Sequence, residues 1–128
     1  MPAQDEYEVR VYDTKRGRRL VAAVEIVSPS NKDRPEHRQI FIAKCLVLLR
    51  NQVCVAVVDL VTTRNFNLYA ASSRPKKAGD SWLLEGWAHA LAPGQPLPTL
   101  PLWLADNFAV PLDLEASYEE TCCILRIA

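Results

Sequence analysis

The 128-residue chain is short of the features that mark an unusual setting or a specialised chemistry. No apolar run approaches the roughly 20 residues needed to cross a bilayer, so no membrane span is expected. The opening residues, MPAQDEYEVR, are polar and acidic. They lack the basic start and apolar middle of a secretory signal, and the expectation is a cytoplasmic protein. Excess charge is missing too, since fifteen basic residues balance fifteen acidic ones. That balance gives no support to broad attraction to nucleic acid or to an anionic membrane. There are two histidines, His37 and His89, and four cysteines, Cys45, Cys54, Cys122 and Cys123, with no Cys-x-x-Cys pair among them. These spacings argue against a zinc site. Cys45 and Cys54 lie in apolar stretches, where a free cysteine acts as a small hydrophobe. No repeat or low-complexity linker divides the chain, and its length suits one domain, residues 1–128, with one core.

What is present is a run of alternating and apolar segments. Residues 7–12, YEVRVY, alternate and are rich in β-formers; residues 20–27, LVAAVEIV, form a second strand candidate. The charged segment between them contains Gly17, so the two read as a hairpin. Its tip carries Lys15, Arg16, Arg18 and Arg19, either as a solvated turn or as a contact for a phosphate backbone. A helix is expected over residues 35–51, with Asp33 and Glu36 at capping-box spacing and Pro35 in the first turn. Its body, IFIAKCLVLLR, is apolar on nearly every side, which implies burial on more than one face. The cover is expected from residues 112–125 or from a second subunit. Residues 53–61, VCVAVVDLV, read as a strand buried on both faces and parallel to the second. Strands are also expected over residues 67–72 and 81–91, joined by the turn-rich SRPKKAGD. Residues 92–101 carry four of the nine prolines and read as an extended strap; a short closing helix ends the chain. The fold class is therefore α+β, a mixed β-sheet with flanking helices.

The chemistry-bearing stretch is VEIVSPSNK, residues 24–32. Glu25 is a carboxylate inside an apolar strand, and burying it unpaired costs several kcal/mol or raises its pKa by about 3 units or more. Such a residue needs a counterpart, and the candidates are Lys32, Lys44 or a metal site. If the hairpin turns near Gly17, Glu8 lies opposite Glu25, about 5 Å away across the ladder. Two like charges that close call for a cation, and Mg²⁺ accepts one or two carboxylates. Asp13 is an alternative second acid. Asp59 lies near the carboxyl end of the buried strand, where ligands of parallel sheets bind; it either converges with Glu25 or makes a local contact, for instance with Arg64.

Residues 24–32 resemble the signature of the bacterial domain of unknown function 4058, which reads Ile-Glu-Ile-Leu-Ser-Pro-x-Asn-Lys. Phe41 and Lys44 resemble its helix, Val58-Asp59-Leu60 its Ile-Asp-Leu strand, and Leu97-Pro98, Pro101-Leu102 and Leu112-Asp113-Leu114 its later pieces. The Glu-x-x-Ser-Pro segment is also similar to that of the Uma-type restriction-endonuclease-like proteins, of the PD-(D/E)XK nuclease fold. The resemblance implies a restriction-endonuclease-like core in β-β-α-β order, here without its first helix. In active members acids and a lysine hold Mg²⁺ for phosphodiester cleavage, which would place Glu25, Asp59 and Glu8 on the metal and Glu25, Asp59 and Lys32 in catalysis. The chain departs from that pattern. The lysine expected two residues after the motif glutamate is Val27, the family's second acid is Val57, and the arginine after its helix lysine is Cys45. Two functions follow: a non-catalytic nuclease-like module that self-associates as a homodimer or binds another protein, and a Mg²⁺-dependent nuclease acting on DNA.

Overall fold

The computed structural model describes residues 7–15, 17–28, 34–61 and 68–125. It is α+β, as the sequence implies. β1 (Tyr7–Asp13) and β2 (Arg19–Ile26) form the antiparallel hairpin, with Gly17 in the left-handed region at its turn. α1 (Pro35–Arg50) crosses over to β3 (Cys54–Asp59), which pairs with β2 in parallel. β4 (Tyr69–Ala78) and β5 (Ser81–Ala90) complete a mixed five-stranded sheet in the order β1-β2-β3-β4-β5. A separate antiparallel pair follows, β6 (Thr99–Ala105) and β7 (Phe108–Asp113), and then α2 (Leu114–Leu125).

Each end of α1 has a local cause. Pro35 occupies the first helical position, where its missing N–H costs nothing. The N-cap is Arg34, one residue later than the expected Asp33, and it makes no side-chain cap. At the other end Gln52 is left-handed (φ 63°), Val53 N–H donates to Leu48 O and Gln52 N–H to Leu49 O. This paired closure ends the helix and turns the chain into β3. Val53 then packs with Leu48 against Ala23 and Val55, so the cap also anchors α1 to one face of the sheet.

The opposite face is covered by the β6–β7 pair. Ala22, Val24, Cys54, Ala56 and Ala70 of the sheet pack against Leu100 and Leu102. Small sheet residues let the two layers approach closely, and the seam is pinned by polar contacts. Ser72 Oγ donates to Pro101 O, and Trp103 N–H donates to Cys54 Sγ at 3.3 Å. Arg74 holds Glu85 at 2.8 Å and Asp106 O at 2.9 Å while lying over the Trp103 ring.

Three expectations change here. Residues 99–105 are a strand rather than the end of a proline strap. β4 runs on to Ala78, through residues that read as a loop. The closing helix exists, but Leu114 at its start packs on the β6–β7 side of the sheet, so α2 is not the cover expected for α1. Asp113 caps α2: its Oδ1 accepts the Ala116 N–H at 2.9 Å. Asp113→Ala is expected to cost about 1 kcal/mol, read as a lower midpoint in urea unfolding with an unchanged slope. Among the described residues, no helix is long and apolar enough to cross a membrane.

Candidate functional site

Alternation along β1 and β2 decides which side chains share a face. In the observed register Glu8 lies opposite Glu25 and Arg10 opposite Ala23. Across the parallel pair Glu25 lies beside Val57, so Asp59, two residues on, is on the same face. This is the face that α1 covers, and Lys44 reaches down to it from the helix. Glu8, Glu25 and Lys44 therefore come together from three elements.

Their geometry is close. Lys44 Nζ is 3.0 Å from Glu25 Oε1 and 3.4 Å from Glu8 Oε2. Arg10 Nε donates to the other oxygen of Glu8, Oε1, at 2.8 Å. Glu25 is only 2% exposed. With both carboxyls ionised, two buried oxygens, Glu8 Oε2 and Glu25 Oε2, accept no hydrogen bond among the described residues, Lys44 standing off the former as an ion pair only. One proton shared between the groups solves this, because the protonated carboxyl donates to the other. The electrostatics follow that division. Burial, reinforced by the hydrogen bond with Glu8, pushes the Glu25 carboxyl up to about 7, against the pull of Lys44. The same hydrogen bond, with Arg10 and Lys44 nearby, lowers Glu8 to about 2. The two titrate as a pair that keeps one proton across the mildly acidic range.

The surroundings make the pocket unreactive in other respects. Cys45, one residue after Lys44, has its thiol pushed up to about 11 by burial and then by the charge of Glu25. Burial, and then Asp59, raises the Tyr69 hydroxyl. Neither group supplies a nucleophile at neutral pH.

Of the residues singled out from the sequence, the structure brings Glu8 and Glu25 together. Asp59 stays on their face, but its Oδ1 accepts the Val61 N–H at 3.0 Å, a local contact at the strand end. Lys32 and Arg64 lie outside the described residues, and Asp13 accepts the Lys15 N–H in the hairpin turn. Arg10 went unnoticed in the sequence, although alternation alone places it on the face of Glu8. Among the described residues no three of His, Cys, Asp and Glu come together as a metal-binding group. What remains for a divalent ion is the Glu8–Glu25 pair, with an ammonium already beside it. Compared with family models, curated proteins and solved structures, the chain matches none.

Proposed function

We propose that the chain is a nuclease-like module whose acidic site is structural and which works by associating with a second copy of itself. The observation that carries this reading is the position of Lys44, within 3.4 Å of both carboxyls. It supplies the positive charge that two facing glutamates need, at the place where a catalytic ion would supply it. The absence of a Glu-x-Lys lysine, with Val27 at that position, supports the same reading, as does the resemblance of residues 24–32 to domain 4058. Self-association is supported by apolar surface left open on α1, where Ile40 is 67% exposed, and on β5.

A Mg²⁺-dependent nuclease is the alternative, favoured by the two buried oxygens that accept no hydrogen bond among the described residues when both acids are ionised. Calorimetry separates the two. Titration of the chain with Mg²⁺ and Mn²⁺ at neutral pH is expected to give no binding heat at millimolar ion, and incubation with DNA no divalent-dependent cleavage. Binding at millimolar ion together with divalent-dependent cleavage, both lost in Glu25→Gln, would establish the nuclease reading instead.

A further inference from the structure

The five-stranded sheet has two edges, and they are built differently. β1 carries Glu8, Arg10 and Asp13, and its ladder with β2 is irregular between Val11 and Tyr12. Charges and irregular pairing are the devices that keep an edge from recruiting another strand. β5 has neither. Its ten residues, SWLLEGWAHA, contain no lysine, arginine or proline, and they pair without a break against β4. Among the described residues β5 has a neighbour on one side only.

The open side of β5 bears polar backbone and apolar side chains together. The hairpin closes through a two-residue loop, Gly79–Asp80, with Ala78 opposite Ser81 and Gly79 at φ 63°. In such a loop the closing pair exchanges hydrogen bonds, and the bonded pairs then alternate along the ladder. Trp82, Leu84, Gly86 and Ala88 therefore direct their N–H groups away from β4, towards the free edge. Pro75, opposite Leu84, fits this phase, since a residue there donates nothing to β5. On the same stretch Trp82 is 54% and Leu84 60% exposed, with Leu83 similarly open on the other face.

We infer that β5 pairs antiparallel with β5 of a second copy, about a two-fold axis perpendicular to the sheet, giving one continuous ten-stranded sheet. A strand edge calls for another strand, because its unpaired donors and acceptors are satisfied by a backbone ladder. A second copy is the occupant that the charge pattern suits. The one carboxylate on β5, Glu85, is already held by Arg74 at 2.8 Å and by Lys76 at 3.8 Å. Two β5 strands can thus approach without unscreened like charge between them. The guarded β1 edge disfavours head-to-tail pairing of β5 with β1, so the assembly closes at two copies. Such an axis keeps each face of the sheet on its own side, and both α1 helices lie on one face of the dimer.

This inference rests on the self-association reading and assigns it a surface. Sedimentation velocity on the full chain, from micromolar to hundreds of micromolar, is the test. The wild type is expected to be a dimer, and Leu84→Pro and the double variant Trp82→Lys/Leu84→Lys to be monomers with unchanged circular dichroism. Hydrogen exchange on the wild type provides a check that needs no variant: the Trp82, Leu84 and Gly86 amides should gain protection as concentration rises. A dimer that survives both variants, or is lost instead in Ile40→Lys/Val47→Lys on α1, overturns the β5 assignment but leaves self-association standing. A wild type that is monomeric throughout, with those amides unprotected, overturns both.

Discussion

Replacing Lys44 with methionine should destabilise the protein by about 3 kcal/mol near pH 8 and by distinctly less near pH 5. The substitution keeps most of the side chain's packing and removes its charge. Among the described residues Glu25, 2% exposed, is then left with no cation in contact, since Arg10 bonds Glu8 instead. Removing one partner of a buried pair leaves an uncompensated charge, which is costlier than removing the whole pair. Glu25 can escape that cost only by keeping its proton, so the penalty depends on pH. In the variant its carboxyl moves further above its ordinary value. A raised carboxyl pKa means the native state holds a proton that the unfolded chain has released, and stability falls as pH rises through that interval. Urea unfolding at the two pH values measures the difference. An equal loss at both would mean that Lys44 contributes packing rather than charge.

Glu25→Gln should flatten the dependence of stability on pH. In the wild type Glu25 is raised from 4.5 to about 7, so stability is expected to decline as pH increases through that window. Glu8, lowered to about 2, acts in the opposite direction and on the acid side. Its contribution is complete above pH 4.5 and is lost as pH falls towards 2. Glutamine at position 25 mimics the protonated carboxyl: its amide can donate to Glu8 and its oxygen can accept from Lys44. Near pH 5 the variant should match the wild type; near pH 8 it should exceed it by roughly 2 kcal/mol. Parallel profiles would place the alkaline decline elsewhere in the molecule. A variant less stable than the wild type near pH 8 would mean that the ionised Glu25–Lys44 pair is itself stabilising.

The parts of this site written into local pattern were legible in the sequence. YEVRVY and LVAAVEIV alternate around a glycine turn, and that suffices to place Glu8 opposite Glu25. The near-continuous apolar run after the helix marked β3 as an interior strand parallel to β2. Lys44 was one of three partners considered for Glu25; choosing it requires the rotation of α1 about its axis. That rotation is set by the packing of Leu48 and Val53 on Ala23 and Val55, a tertiary property. The second layer was obscured by proline. Pro93, Pro96, Pro98 and Pro101 make residues 92–101 look like a strap, yet a two-stranded pair has an open edge on each side and accommodates Pro101 and Pro111 there. β4 was shortened for a similar reason. Arg74, Pro75, Lys76 and Lys77 resemble a linker, but they extend the β4–β5 hairpin beyond Ser73, where pairing with β3 ends. A strand with one neighbour does not need apolar residues on both faces.

The most direct measurement is a carboxyl carbon NMR titration of Glu8 and Glu25, repeated with millimolar Mg²⁺. The expected result is a coupled pair: one proton leaves far below the usual carboxylate range, the other at about 7, and both curves are unmoved by the ion. Two independent titrations in the ordinary range, or curves shifted acidward by Mg²⁺, would contradict a carboxyl pair held by one proton and Lys44.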